Sequence, residues 1–154
     1  MVFDILDQAN LGRAGRRRAK LRAALHRATG CRYYDELLAE DCTLHEPQSL
    51  PYGGVYRGKA AFRKALVRVL ATWADLDFTI VNYAAGGDEV IVHIYLSGAG
   101  ARTGRSFGMQ VLELWRLRDG KIVELRPFLF DSGRMAWAHG DCPPFHAVDQ
   151  DHPS

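Results

Sequence analysis

The sequence predicts an α+β domain with helices on one face of one antiparallel sheet. Apolar residues recur at helical spacing as far as residue 73. From residue 76 the spacing changes to alternation, punctuated by Gly86-Gly87-Asp88 and Asp119-Gly120. No repeat or linker interrupts the 154 residues, which suffice for a single domain, 1–154, with a core of about 16–131. A composition 47% hydrophobic and 25% charged excludes a disordered chain. No apolar run approaches the roughly 18 residues of a membrane helix. Near the start the acids Asp4 and Asp7 precede the arginines, the reverse of a signal peptide, so a cytoplasmic location is expected. Three widely spaced cysteines fit a reducing compartment without disulfides.

A first helix is expected over 16–28, where Leu21, Ala24, Leu25 and Ala28 share a face and arginines take the other. Thr29-Gly30 ends it. A second helix, about 31–39, packs Tyr34, Leu37 and Leu38. A short strand follows from residue 42, then a Gly/Pro loop over 51–58. A third helix, about 59–73, buries Phe62, Leu66, Val69 and Trp73 and exposes Arg63, Lys64 and Arg68. Strands are expected over 76–83, 89–97, 105–118 and 121–130, with a loose loop at 98–104. Residues 132–154, rich in breakers, read as an irregular tail.

Two carboxylates stand out. In CTLHEP, Glu46 shares a strand face with Cys42 and Leu44, and Pro47 ends the strand below the Gly-rich loop. A carboxyl set among apolar side chains has a raised pKa and can carry protons near neutral pH. In the long strand, Phe107, Met109, Val111, Glu113, Trp115 and Leu117 share one face, so Glu113 interrupts an apolar stripe. Such a carboxyl is protonated, stands at a pocket wall, or pairs with an arginine such as Arg126 or Arg102. Leu112 and Leu114 on the reverse face suggest that a second subunit covers it.

The remaining features are weighed more simply. Cys42 reads as a small buried filler rather than a nucleophile. Eight Lys/Arg and no acid occupy residues 13–32, but without interleaved aromatics this is read as a solvated helix face rather than a nucleic-acid site. His45 points away from Glu46 and is read as structural. Tyr52 and Tyr56 flank the glycine pair and either close a pocket mouth or pack the loop. Asp131 stops the last strand or lines the pocket's open end. His139, Cys142 and His146 lack the spacing of a tetrahedral site, and no phosphate-binding glycine motif is present, so neither metal nor cofactor is expected.

LLAEDCTLHEP, LPYGGVYRG and ELWRLRDGKIVELRPFLFD, in this order, resemble the SnoaL-like branch of the NTF2-like superfamily, which includes ketosteroid isomerases. The resemblance spans about 16–131. It implies a cone in which a curved antiparallel sheet wraps three N-terminal helices around a pocket, commonly with a homodimer across the outer sheet face. Against the isomerases, Glu46 matches the general-base aspartate before proline, and Glu113 matches the protonated acid that binds the substrate oxyanion. The isomerase tyrosine of the first helix falls near Arg22 and is missing, so Tyr34, Tyr52 or Tyr56 is left to replace it. Limonene epoxide hydrolases need an arginine where Val111 stands. Counting against the isomerases puts His93 and Tyr95 on the outside. The resemblance thus implies a cofactor-free, proton-transferring isomerase or cyclase acting on a small apolar carbonyl or polyketide-like molecule. Glu46 and Glu113 would be catalytic, with Tyr34, Tyr52, Tyr56, Met109 and Trp115 binding substrate. The alternative is a binding protein with the same pocket and no chemistry.

Overall fold

A computed structural model describes residues 36–141. The chain runs β1 (Leu38–Glu46), β2 (Gly54–Arg57), α1 (Lys59–Thr72), β3 (Trp73–Gly86), β4 (Glu89–Gly100), β5 (Ser106–Arg118), β6 (Lys121–Leu129) and α2 (Ser132–His139). The helix expected over 16–28, most of the one expected over 31–39, the basic stretch and Tyr34 fall outside the described residues.

The six strands form one curved, open sheet in the order β2-β1-β6-β5-β4-β3. The expected meander is present from β3 to β6, every neighbouring pair antiparallel. The all-antiparallel expectation is corrected at one place. β1 lies parallel to β6, with Thr43 opposite Glu124 and Leu44 opposite Leu125, so the sheet is mixed. β2, α1 and the strands β3 to β5 lie between β1 and β6 in sequence, ample length for the crossover connection that a parallel pair needs. Register shifts in β3–β4, after Ala74 and after Ile80, mark irregularities that bend long strands.

Alternation decides what each strand buries. On β4, Val90, Val92, Ile94 and Leu96 face inward. On β5, Phe107, Met109 and Val111 do the same, and the pairs Val92–Glu113, Ile94–Val111 and Leu96–Met109 line up across the two strands. The helix α1 closes this face with Phe62, 1% exposed, and Ala65. Burying a phenylalanine of this kind stabilises by roughly 1.5–3 kcal/mol.

Three local expectations are corrected. Leu38 and Ala39 begin β1 instead of ending a helix. The run LLAED has helical propensity, but the pairing of Leu38 with Ile122 overrides it. Within the expected loop over 51–58, Gly54–Arg57 is strand β2, with Glu46 opposite Gly54 and Leu44 opposite Tyr56. Residues 132–139 are not an irregular tail but helix α2, whose first turn is capped by Asp131 accepting from the Arg134 N–H at 2.9 Å. Gly140 ends it in the left-handed conformation at φ 101°. The turn after β4 then grips the end of α2. Arg102 Nη2 donates to the His139 carbonyl at 3.1 Å, and Arg105 Nη1 donates to that of Trp137 at 3.0 Å.

The loop between β1 and β2 is wound by its own backbone. Leu50 N–H donates to Pro47 O at 3.1 Å, and Gly53 N–H to Leu50 O at 2.8 Å. A Cβ on Gly53 would lie 2.4 Å from the Pro47 oxygen, so no larger residue fits without displacing backbone. Gly53→Ala is therefore expected to cost about 1–3 kcal/mol, the usual range for overpacking, read as a lowered midpoint in urea unfolding.

Candidate functional site

Inside the curve of the sheet lies a cavity of about 170 Å³. It is slightly larger than the roughly 150 Å³ apolar cavity that accepts a benzene. Aliphatic side chains from β3, β4 and β6, Leu66 and Val69 of α1, and Met135 of α2 form most of its wall. The polar side-chain atoms of the lining belong to Glu46, Glu113, Tyr52 and the indoles of Trp73 and Trp115. Among the described residues, no Lys, Arg or His lines it.

Glu46 arrives at the end of β1 because Leu44 and Cys42 precede it on the inward face, Cys42 fully buried. Burial first, and then the negative charge of Glu113, pushes the Glu46 carboxyl up to about 8. Glu113 is placed by the alternation of β5, between Val92 on β4 and Pro127 on β6. Burial pushes its carboxyl upward as well, opposed by one hydrogen bond. Trp115 Nε1 donates that bond to Glu113 Oε2 at 2.8 Å. The arginine partners considered for Glu113 are engaged elsewhere. Arg126 Nη2 lies 2.8 Å from Glu124 Oε1 on the outer face, and Arg102 serves the end of α2.

Tyr52 is 4% exposed, and its ring meets that of Trp73 edge-on. Trp73 Nε1 donates to Tyr52 Oη at 2.9 Å. The phenol oxygen thus accepts from the indole, and its own proton remains to be donated. Burial keeps this phenol firmly protonated, with the nearby Glu46 charge acting in the same direction. Trp73 was expected to complete a helical stripe; it opens β3 instead. The need of a buried indole N–H for an acceptor was the signal that could have linked it to Tyr52.

The structure therefore brings Glu46, Glu113, Tyr52 and Trp115 together around one cavity. It does not bring Tyr56 or Met109 there. Tyr56 Oη donates to the Tyr52 carbonyl oxygen at 2.5 Å, which braces the loop. Met109 is 5% exposed and packs in the core beside the cavity rather than on its wall. Tyr34 lies outside the described residues. Burial pushes the Cys42 thiol up, away from the reactive thiolate. His45 faces the other way, 3.6 Å from Glu124 Oε1. His93 meets Gln110 Oε1 at 2.5 Å on the outer side of the sheet, and Tyr95 there is 43% exposed.

The site can do one kind of chemistry without help. Two carboxyls in an apolar space resist ionising together, so over a range of pH they hold one proton between them. One is then a base and the other an acid, beside a phenol donor.

The SnoaL-like domain profile matches residues 19–125. No curated protein sequence matches the chain. Among solved structures, it is similar to an NTF2-like protein from Burkholderia thailandensis E264, with 31% identity, TM-score 0.62, and coverage of 67% of this chain and 79% of that one. A presumed SnoaL-like polyketide cyclase from Jannaschia sp. CCS1 is 16% identical, with TM-score 0.62 over 86% of this chain and 99% of that one. TerC, co-crystallised with polyporic acid, is 17% identical, with TM-score 0.61 over 76% of this chain and 96% of that one. The latter two likenesses speak to the fold alone. With the family profile matched over most of its length, this chain belongs to the SnoaL-like family of NTF2-like proteins.

Proposed function

We propose that this protein is a cofactor-free, proton-transferring enzyme of isomerase or cyclase type, acting on a small apolar carbonyl compound. The observation that carries this reading is the placement of Glu46 and Glu113 on the wall of the same apolar cavity, with Tyr52 as a further donor. Ionised, one carboxyl removes a proton from carbon next to a carbonyl. Neutral, the other donates to the oxygen on which charge develops, in a site where few competing dipoles screen it. The cavity volume favours a one-ring ligand. A cyclase-type reaction is also what the name of one structural neighbour states, a presumed SnoaL-like polyketide cyclase.

The test is isomerisation of 3-cyclohexen-1-one to its conjugated isomer, followed by the rise in enone absorbance. Turnover by the wild type that falls on substitution of either carboxyl by glutamine supports the reading. Turnover untouched by both substitutions contradicts it. Absence of turnover, with apolar ketones still raising the melting temperature, leaves binding without chemistry as the function.

We also propose that the chain pairs with a second copy through the outer sheet face. There Leu112 sits opposite Phe128, 45% and 53% exposed, and Ile91 and Tyr95 extend the apolar patch. Leu112→Asp is expected to halve the mass seen by sedimentation at micromolar concentration. A wild type that sediments as a monomer would contradict the pairing.

A further inference from the structure

Which carboxyl holds the charge decides which acts as the base. Resemblance to the isomerases gives that role to Glu46, yet the hydrogen bonds of this site point the other way. Resting on the proton-transfer reading above, we propose that Glu113 is the carboxylate that removes the substrate proton, while Glu46 is the neutral acid that binds the substrate oxygen together with Tyr52.

The indole of Trp115 can only donate, and it donates to Glu113 Oε2 at 2.8 Å. Such a bond is stronger to a carboxylate than to a neutral acid. Among the described residues, no donor is hydrogen-bonded to Glu46. Burial raises both carboxyls and is deeper at Glu113, but only Glu113 has an indole donor that favours its charged form. The first charge therefore forms on Glu113, and its field then holds the proton on Glu46.

Among the described residues, the other elements around the pair do not disturb this order. β4 presents Val92 and Ile94, and β6 presents Leu125, Pro127 and Leu129 to the cavity, while Glu124 and Arg126 pair on the outer face. α1 and α2 contribute only apolar side chains there, and the loop after β1 contributes Tyr52.

The placement also fits the reaction. Glu46 interacts electrostatically with both Tyr52 and Glu113, so all three groups face the same cavity. Glu113 stands two strands away in the sheet, with β6 between. At strand spacing that is about 10 Å of backbone, room for a small ring between base and donors. With Oε2 held by the indole, Oε1 is left to receive the proton. For 3-cyclohexen-1-one, Glu113 takes the proton from the carbon between the carbonyl and the alkene. The electron pair of that C–H bond moves into a dienolate, whose oxygen accepts from Glu46 and Tyr52. Glu113 then returns the proton to the γ carbon, giving the conjugated ketone with no net gain or loss of atoms.

The test is a ¹³C NMR titration of the wild-type side-chain carboxyls, assigned through their own side-chain correlations so that no variant is required. Glu113 is expected to ionise first and Glu46 last. In Trp115→Phe the Glu113 midpoint is expected to move upward by about one to two pH units, the worth of a hydrogen bond to a charged group. Kinetics supply a second readout. Glutamine imitates a neutral acid, so Glu46→Gln should lose about 10-fold to 100-fold in kcat, and Glu113→Gln far more. Glu46 ionising before Glu113, with both midpoints raised, would overturn the role assignment and leave the proton-transfer reading intact. Both carboxyls titrating at ordinary values would overturn the two together.

Discussion

Glu113→Gln is expected to lower kcat for ketone isomerisation by about 10²-fold to 10⁴-fold, the span over which a general base contributes. The amide keeps the shape of the side chain and can still accept from Trp115, so the cavity between Val92 and Pro127 should persist. What it loses is the ability to take a proton. KM should change little, because an apolar ring binds mainly through the aliphatic wall. Steady-state kinetics at neutral pH check this, with circular dichroism to confirm an unchanged fold. A loss confined to KM would mean that Glu113 binds substrate without taking its proton.

The second large effect falls on stability. Glu46→Gln is expected to make the protein more stable at neutral pH. The carboxyl has a value of about 8 when folded, against 4.5 as its ordinary value. The folded state then binds the proton more tightly than the unfolded state does. Between about 4.5 and about 8 the unfolded chain ionises while the folded chain does not, so stability falls as pH rises through that window. At pH 7 the loss amounts to about 3 kcal/mol, which an amide does not incur. The variant and the wild type should therefore unfold alike near pH 4 and diverge above pH 5, by about 10 °C in melting temperature at pH 7. An advantage of equal size at pH 4.5 and pH 8 would show that Glu46 is not held neutral by its surroundings. A group that is costly when folded yet sits in the cavity is what a stability–function trade-off produces.

The sequence patterns that proved most informative were the alternating ones. The face of β5 from Phe107 to Trp115 could be read residue by residue, because a strand in a one-sided sheet fixes each side chain by parity. Glu46 and Glu113 were legible for the same reason, as charges out of place on apolar faces. Parity alone could not separate Met109, sealed in the core, from Trp115 on the cavity wall, since both point inward. Where local propensity and long-range pairing conflicted, pairing won. Leu38 joins β1 because Ile122 lies beside it, and nothing in LLAED announces that partner. The parallel pairing of β1 and β6 is likewise invisible to a local reading. Helix α2 carries legible end signals, since Asp131 and Gly140 are the ordinary residues for its two ends. The bond from Trp73 to Tyr52 joins residues 21 positions apart and needed the fold to be seen.

The central claim is that two carboxyls in one apolar cavity share a single proton in the active form. The most direct test is kcat/KM for 3-cyclohexen-1-one from pH 4 to pH 10. The expected profile is a bell, because the form with both protons lacks a base and the form with none lacks the acid. Its rising limb should lie above the ordinary carboxylate value of 4.5, and its falling limb near 8, where Glu46 gives up its proton. In Glu46→Gln the falling limb should disappear. A single limb at the ordinary carboxylate value, or a profile without limbs, would contradict the claim.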